Sequence, residues 1–309
     1  MQDIIGIDIS KGRLDAFRLS DRIHRPFAND DKGHRALVRW IGVDVKVVFE
    51  PTGAYHRHLE AALASKGIPF VKVNPRQARR FAEATGTQAK TDRVDAMLLA
   101  RMGAALDLAP CATRSETLHE LRELHVARVG LVKDRTAARN RASIAEHTVL
   151  KRQGKARLAL IDKQLAEIDA VMTAMIAQDP ALAARLDILI SIPGVGTVTA
   201  FALLIDMPEL GTLDNKQAAS LAGLAPVSRQ SGTWQGKEHI RGGRATLRRA
   251  IFMPALVAAR HNADLKRKYD QLIANGKPPK LAITAIMRKL VVLANALLRK
   301  QQKWTELPA

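Results

Sequence analysis

Strand-like and helix-like segments alternate through the first 110 residues, an order that a sheet covered by helices accommodates and a helical bundle does not. The run 4–10 (IIGIDIS) is short, rich in β-branched residues and bounded by polar ones, so it reads as a strand. Residues 13–19 read as a second strand after the Lys11-Gly12 turn, and 25–28 as a third. Residues 33–41 read as a helix. The strand 45–49 (VKVVF) ends at Glu50, with the breakers Pro51 and Gly53 beyond it. A helix over 56–65 is closed by Gly67, a strand over 69–73 is stopped at Asn74-Pro75, and helices follow over 76–84 and 92–106.

Beyond this α/β region the pattern changes. Residues 114–178 contain no proline, and Ile161, Leu165, Ile168, Met172 and Met175 recur at alternating spacings of four and three, an a/d seam. The segment reads as a helical hairpin or coiled coil able to dimerise, although an amphipathic helix packed on its own domain would show the same spacing. Residues 185–309 read as mainly helical, with apolar periodicity over 199–205, 217–221, 247–259 and 281–298, interrupted by a basic, loop-rich stretch at 226–243. The expected organisation is an α/β domain over 1–113, a helical segment over 114–180 and a mainly α domain over 181–309.

Charge narrows the function. Lysine and arginine number 49 against 30 aspartates and glutamates, a net charge of +19, and residues 228–309 alone carry +13. A surface this basic attracts polyanions, nucleic acid first. Aromatic residues make up only 4%, so phosphate contact and duplex shape should outweigh base stacking. A single cysteine, Cys111, excludes a disulfide framework and a cysteine-based zinc site, and suits a reducing cytoplasm. No apolar run reaches the length a membrane span needs, and the N-terminus lacks the basic region of a signal peptide.

Three constellations carry chemistry. Asp8 sits inside an isoleucine-rich strand, where a charge is costly unless it is paired or binds a metal. Glu50 ends a neighbouring strand, and Asp92 and Asp95 share one face at the start of a helix. Four hard-oxygen ligands suit Mg²⁺ with room for phosphate oxygens. Taken singly, Asp92 reads equally as a helix N-cap, Asp95 as a dipole partner and Glu50 as a turn residue. The second constellation is Pro193-Gly194-Val195-Gly196-Thr197, a glycine turn opening a helix in the manner of a helix-hairpin-helix. Gly194, Gly196 and Thr197 there would offer backbone N–H groups to a phosphate. The third is Ser231-Gly232 within a run of cations, Arg229, Lys237, Arg241, Arg244, Arg248 and Arg249. These guanidiniums could stabilise a phosphoryl transition state beside a serine hydroxyl. On chemistry alone Ser228 is as plausible a nucleophile.

Together these pieces resemble a family. Gly6-Ile7-Asp8, Glu50-Pro51-Thr52-Gly53, Asn74-Pro75 and Lys90-Thr91-Asp92-Arg93-Val94-Asp95-Ala96 are joined by Pro193-Gly194-Val195-Gly196, Gly223-Leu224-Ala225-Pro226, Ser231-Gly232 and the Gly-Arg-rich run to Arg249. The set resembles the DEDD transposases of the insertion-sequence family that moves by RNA-guided recombination, together with the related pilin-gene-inverting recombinases. The resemblance implies a RuvC-like (ribonuclease H-like) N-terminal domain, a coiled-coil segment and a C-terminal transposase domain. It implies Asp8, Glu50, Asp92 and Asp95 as a metal-binding tetrad and Ser231 as the nucleophile of a covalent phosphoserine link to DNA. Its implied partners are donor and target DNA, a structured noncoding bridge RNA, and further copies of the chain as dimers and tetramers, acting in the bacterial cytoplasm at the nucleoid.

Two other functions use the same residues. A hydrolytic RuvC-like nuclease of the junction-resolvase type would need the carboxylates and a water nucleophile, but not Ser231. A non-catalytic nucleic-acid-binding protein would need only the charge. An ATPase of the actin and sugar-kinase type is disfavoured, because the one Asp-x-Gly, Asp31-Lys32-Gly33, lies in a polar turn.

Overall fold

The structure, a computed structural model, describes residues 2–51, 53, 55–87, 91–111 and 115–305. Thr52 and Lys90 of the motifs above, and the expected boundary at 113–114, lie outside these residues. The chain divides into two compact units, Met1–Arg114 and Ser115–Ala309.

The first unit is built on β1 (Asp3–Ile9), β2 (Arg13–Arg18), β3 (His24–Ala28), β4 (Val45–Phe49) and β5 (Phe70–Lys72), in sheet order β3-β2-β1-β4-β5. The β1–β2 and β2–β3 pairs are antiparallel, as tight turns require, and β1–β4 and β4–β5 are parallel, each reached through a crossover helix. Helices α1 (Asp31–Ile41) and α2 (Arg57–Ala64) cover one face. Their Leu37, Ile41, Leu59 and Leu63 pack on Ile5, Ile7, Val47 and Phe49. Helices α3 (Pro75–Ala84) and α4 (Asp92–Ala105) cover the other face, where Ala96, Leu99, Ala100 and Met102 meet Ile4 and Val48. The sheet is therefore buried on both sides, with side chains alternating between two cores. Asn74 of the Asn-Pro motif caps α3, its side chain accepting from the Arg76 amide, with Pro75 at the first helical position.

The second unit is mostly helical. Helices α5 (Glu116–Ser143) and α6 (Thr148–Gln178) form an antiparallel hairpin. Arg128 meets Asp169 and Arg135 meets Asp162, a register in which advance along α5 is retreat along α6. The expected seam is used within this hairpin. Ile161 and Leu165 pack against Ala138, while Met172 joins Leu121 in the main core. That core is completed by α7 (Pro180–Ile190), α8 (Thr197–Asp206), α9 (Asn215–Leu221), α10 (Ala245–His261), α11 (Ala263–Ala274) and α12 (Pro279–Lys300).

Two expectations need correction. The stretch 226–243 is not simply loop. It carries four two-residue strands, β6 (Pro226–Val227), β7 (Gln230–Ser231), β8 (Trp234–Gln235) and β9 (His239–Ile240), paired β6–β9 and β7–β8. And α12 is long and apolar enough by composition to cross a membrane, which the sequence reading did not anticipate. Its Ile283, Ile286, Leu290, Ala294 and Leu298 face the core of the second unit instead.

Candidate active site and nucleic-acid surface

Helix α4 runs antiparallel to β1 across the sheet, and its placement brings the acidic residues together. Gly103 stands against Ile4 and Val48, Ala96 and Ala100 stand against Gly6, and the N-terminal turn carrying Asp92 and Asp95 therefore reaches Asp8. The approach at Gly6 is too close for any side chain. A methyl group there would overlap the Ala96 carbonyl oxygen and the Ala100 amide. Thr91, not Asp92, caps α4, its hydroxyl accepting from the Val94 amide at 3.3 Å, so capping does not occupy the Asp92 carboxylate. Glu50 immediately follows Phe49, whose parallel partner is Ile7, and so emerges at the same C-terminal end of the parallel strands as Asp8.

The half-buried Asp8 carboxyl is pushed up to about 6, first by burial, then by the negative charges of Asp95 and Asp92, against a lowering hydrogen bond from the Ile9 backbone. Asp15 adds a smaller upward push. It is the antiparallel partner of Asp8, is 3% exposed, and is held by Arg13 at 2.7 Å and His24 at 2.9 Å. Sequence reasoning missed Asp15, although a carboxylate between Leu14 and Ala16 in a strand carries the same signal as Asp8.

Among the described residues no group of three or more His, Cys, Asp or Glu side chains forms a ready-made metal site. The donor chemistry nonetheless fits a hard divalent cation. Asp8, Asp92 and Asp95 supply only oxygens, and a cation would relieve the like-charge strain.

Ser231 ends β7, opposite Trp234, in a hairpin whose two-residue loop opens with Gly232 at φ +56°. Glycine at that first loop position is what a type II′ hairpin requires. Ser231 is exposed and so is Ser228, which lies between β6 and β7. Ser231 therefore sits at the tip of a paired hairpin within the stretch expected to be loop-rich. The Trp234 ring lies over Gly236, where a side chain would collide with it, and the Gly236 amide donates to the Arg229 carbonyl at 2.8 Å.

The cations expected to bind nucleic acid divide into two sets. Arg229, Lys237, Arg241 and Arg249 are exposed. Arg244 and Arg248 are half-buried and bond within the protein. Arg244 grips both Glu209 carboxylate oxygens at 2.6 and 2.7 Å and the Asp206 carbonyl at 2.6 Å. Arg248 donates to the carbonyls of Gly223 at 3.1 Å and Gly242 at 2.8 Å. The glycine turn also divides. Gly194, at φ +96°, is pressed against Pro254 and Ala258 of α10, so its missing side chain serves packing. Gly196 and Thr197 are exposed at the start of α8, with open space around Gly196.

Comparison with known proteins assigns the family. A family model for DEDD transposases of the IS110 type matches residues 5–145, and one for the transposase IS116/IS110/IS902 family matches residues 186–270. The chain is 30% identical to the pilin gene-inverting protein of Moraxella lacunata and 30% identical to that of Moraxella bovis, in each case over 96% of both chains. It is 33% identical to an uncharacterized 43.6 kDa protein of insertion element IS110 from Streptomyces coelicolor, over 46% of this chain and 35% of that one. DEDD transposase domains are RuvC-like and typically metal dependent, which agrees with the mixed sheet and the acidic edge of the first unit. The chain belongs to the IS110 family of transposases and is a DNA recombinase of that family.

Proposed function

We propose that this transposase cuts and rejoins donor and target DNA under the guidance of a structured bridge RNA, through a covalent link between DNA and Ser231. The observation that carries the reading is the convergence of Asp92 and Asp95 on Asp8 in a chain that also presents an exposed serine at the tip of a hairpin bordered by Arg229, Lys237 and Arg241. Asp8, Glu50, Asp92 and Asp95 would hold Mg²⁺, which when bound supplies charge neutralisation at the attacked phosphate.

The Ser231 hydroxyl loses its proton as its oxygen bonds to phosphorus. The bond from phosphorus to one deoxyribose oxygen breaks, and that oxygen leaves as a hydroxyl after taking up a proton. The phosphoserine ester keeps the diester's energy, so attack by the hydroxyl of another strand reseals DNA and frees the serine without ATP. The exposed arginines stabilise charge on the phosphoryl group. Base pairing with RNA supplies sequence choice, and basic protein surface supplies backbone affinity. Copies of the chain assemble as dimers and, on DNA, as tetramers, an arrangement suited to holding two duplexes at once.

The test is to incubate the protein with labelled DNA from the gene's own flanks and RNA transcribed from them, then denature. A protein–DNA adduct that disappears with Ser231→Ala and persists with Ser228→Ala supports the reading. The converse pattern moves the nucleophile to Ser228. DNA cleavage without any adduct replaces the reading with a hydrolytic RuvC-like nuclease.

A further inference from the structure

The segment 224–242, which carries Ser231, leaves and re-enters the second unit at a single pinched base. On the way out Leu224 and Ala225 donate their amides to the Ala219 carbonyl. On the way back the Arg244 amide donates to the Leu221 carbonyl at 2.9 Å. Gly223 and Gly243 meet between these points. Both have positive φ, and a methyl group on Gly243 would overlap the Gly223 backbone. One guanidinium nitrogen of Arg248 binds the carbonyls of Gly223 and Gly242, one from each strand of the base. A methyl group on Gly223 would strike that same nitrogen and the Gly242 carbonyl. Arg244, one residue beyond Gly243, is anchored in turn on Glu209 and on the Asp206 carbonyl at the end of α8.

We propose that Arg248 is a positioning residue for the recombination reaction: it closes the base of the Ser231 excursion and so fixes where the serine hairpin stands, rather than contacting nucleic acid. The inference rests on the serine reading above, and it adds a role that charge alone conceals. The hairpin itself is small, with β7 and β8 of two residues each, so it carries little core of its own. Its direction is therefore set at its base. One guanidinium nitrogen with two N–H donors suits that task, and the planar, delocalised group holds both donors in a fixed direction. A displacement of about 1 Å at a reacting group is enough to cost about 100-fold in rate.

The experiment compares Arg248→Ala, Arg248→Lys and Arg249→Ala in the full-length chain. Three readouts are used: hydrogen exchange, affinity for a labelled random-sequence DNA duplex across a salt series, and the rate of adduct formation at saturating flanking DNA and RNA. Arg248→Ala should speed exchange in 224–242 while α10 and α12 keep their protection. It should slow adduct formation by about 100-fold, leave duplex affinity and its salt slope unchanged, and be partly rescued by Arg248→Lys. Arg249→Ala should do the opposite, lowering the salt slope by about one without loosening the hairpin. Unchanged exchange in 224–242, or a reduced salt slope with Arg248→Ala, would overturn the positioning role. A normal adduct rate with Arg248→Ala overturns that role alone, whereas no adduct from the wild-type chain overturns the serine reading and the positioning role with it.

Discussion

Gly6 on β1 lies directly beneath Ala96 on α4, so close that a methyl group on Gly6 would occupy the space of the Ala96 carbonyl oxygen. This contact sets the height of α4 above the sheet. With Asp8 two residues further along the same face of β1 and Asp92 one helical turn before Ala96, it also sets how near the carboxylates come. Gly6→Ala should therefore do two things at once. Because the obstructing atoms are backbone, no rotamer relieves the overlap, and α4 must lift at a cost of about 3 kcal/mol. The carboxylates must separate as it lifts. Urea unfolding reads the first effect, with Gly12→Ala as control, since nothing stands within 4 Å of a methyl group there. If Gly6→Ala is as harmless as Gly12→Ala, the close approach is wrong.

Asp8 gives the first unit a pH dependence of definite sign. Its carboxyl is raised from 3.8 to about 6, by burial and then by Asp95 and Asp92. The folded chain thus holds a proton that the unfolded chain has released, and stability falls as pH rises from about 4 to about 6, then levels off. Asp8→Asn should remove that fall. A divalent cation should reverse it, because the ion favours the charged form. Mg²⁺ should raise the melting temperature well above about pH 6, have little effect below about pH 5, and have none on Asp8→Asn at either pH. A Mg²⁺ shift of equal size in wild type and Asp8→Asn would remove Asp8 from the metal site.

Much of this was legible in the sequence, for a physical reason. A charge inside an apolar strand and a pair of acids at a helix start are anomalies of local patterning, and Asp8, Asp92 and Asp95 stood out on that ground. Asp15 shows the same anomaly and was overlooked, because the motif around it is less regular. The internal hydrogen bonds of Arg244 and Arg248 were not legible. A guanidinium bound to Glu209 or to two glycine carbonyls has the same sequence signature as one facing DNA. Strands of two residues leave no period to detect, and α11 buries only Leu265 among its helical residues, so neither registered as an element. Gly194 was read as a phosphate turn when close packing against α10 also demands glycine.

The helical hairpin supplies a graded test of ion pairing. Arg128 is 13% exposed at its side chain and grips Asp169 through two bonds of 2.5 and 3.0 Å, whereas Arg135 is 37% exposed and meets Asp162 through one of 3.2 Å. Desolvation and paired geometry should make the first worth about 1–2 kcal/mol and the second about 0–0.5 kcal/mol. Arg128→Ala should lower the melting temperature measurably in high salt as well as low. Arg135→Ala should change it only in low salt, if at all. Equal effects from the two would mean that charge number, not geometry, stabilises the hairpin.

Asp206 ends α8, buried at 7% exposure among three elements. Arg122 of α5 stands 3.5 Å from one carboxylate oxygen, and His125 of α5 stands 3.6 Å from the other. Arg244, just before α10, takes the Asp206 carbonyl. Burial is the largest single influence on this carboxyl and pushes its pKa up. His125, Arg122 and Thr246 together outweigh it and hold the group below the ordinary 3.8. A depressed folded pKa contributes stability that is present above the unfolded value and is lost as pH falls through the folded one. The second unit should therefore lose stability on acidification below about pH 4, and Asp206→Asn should flatten that acid limb. The same substitution should cost about 2 kcal/mol at neutral pH, because it leaves Arg122 and His125 without their anion. The loss should also be transmitted in two directions, since Asp206 joins the α5–α6 hairpin to the base of the serine excursion. Hydrogen exchange should rise both in α5 near residues 122–125 and in the segment 224–242. Unaltered neutral stability together with an unaltered acid limb would show that Asp206 is merely buried and binds the three elements through its backbone alone.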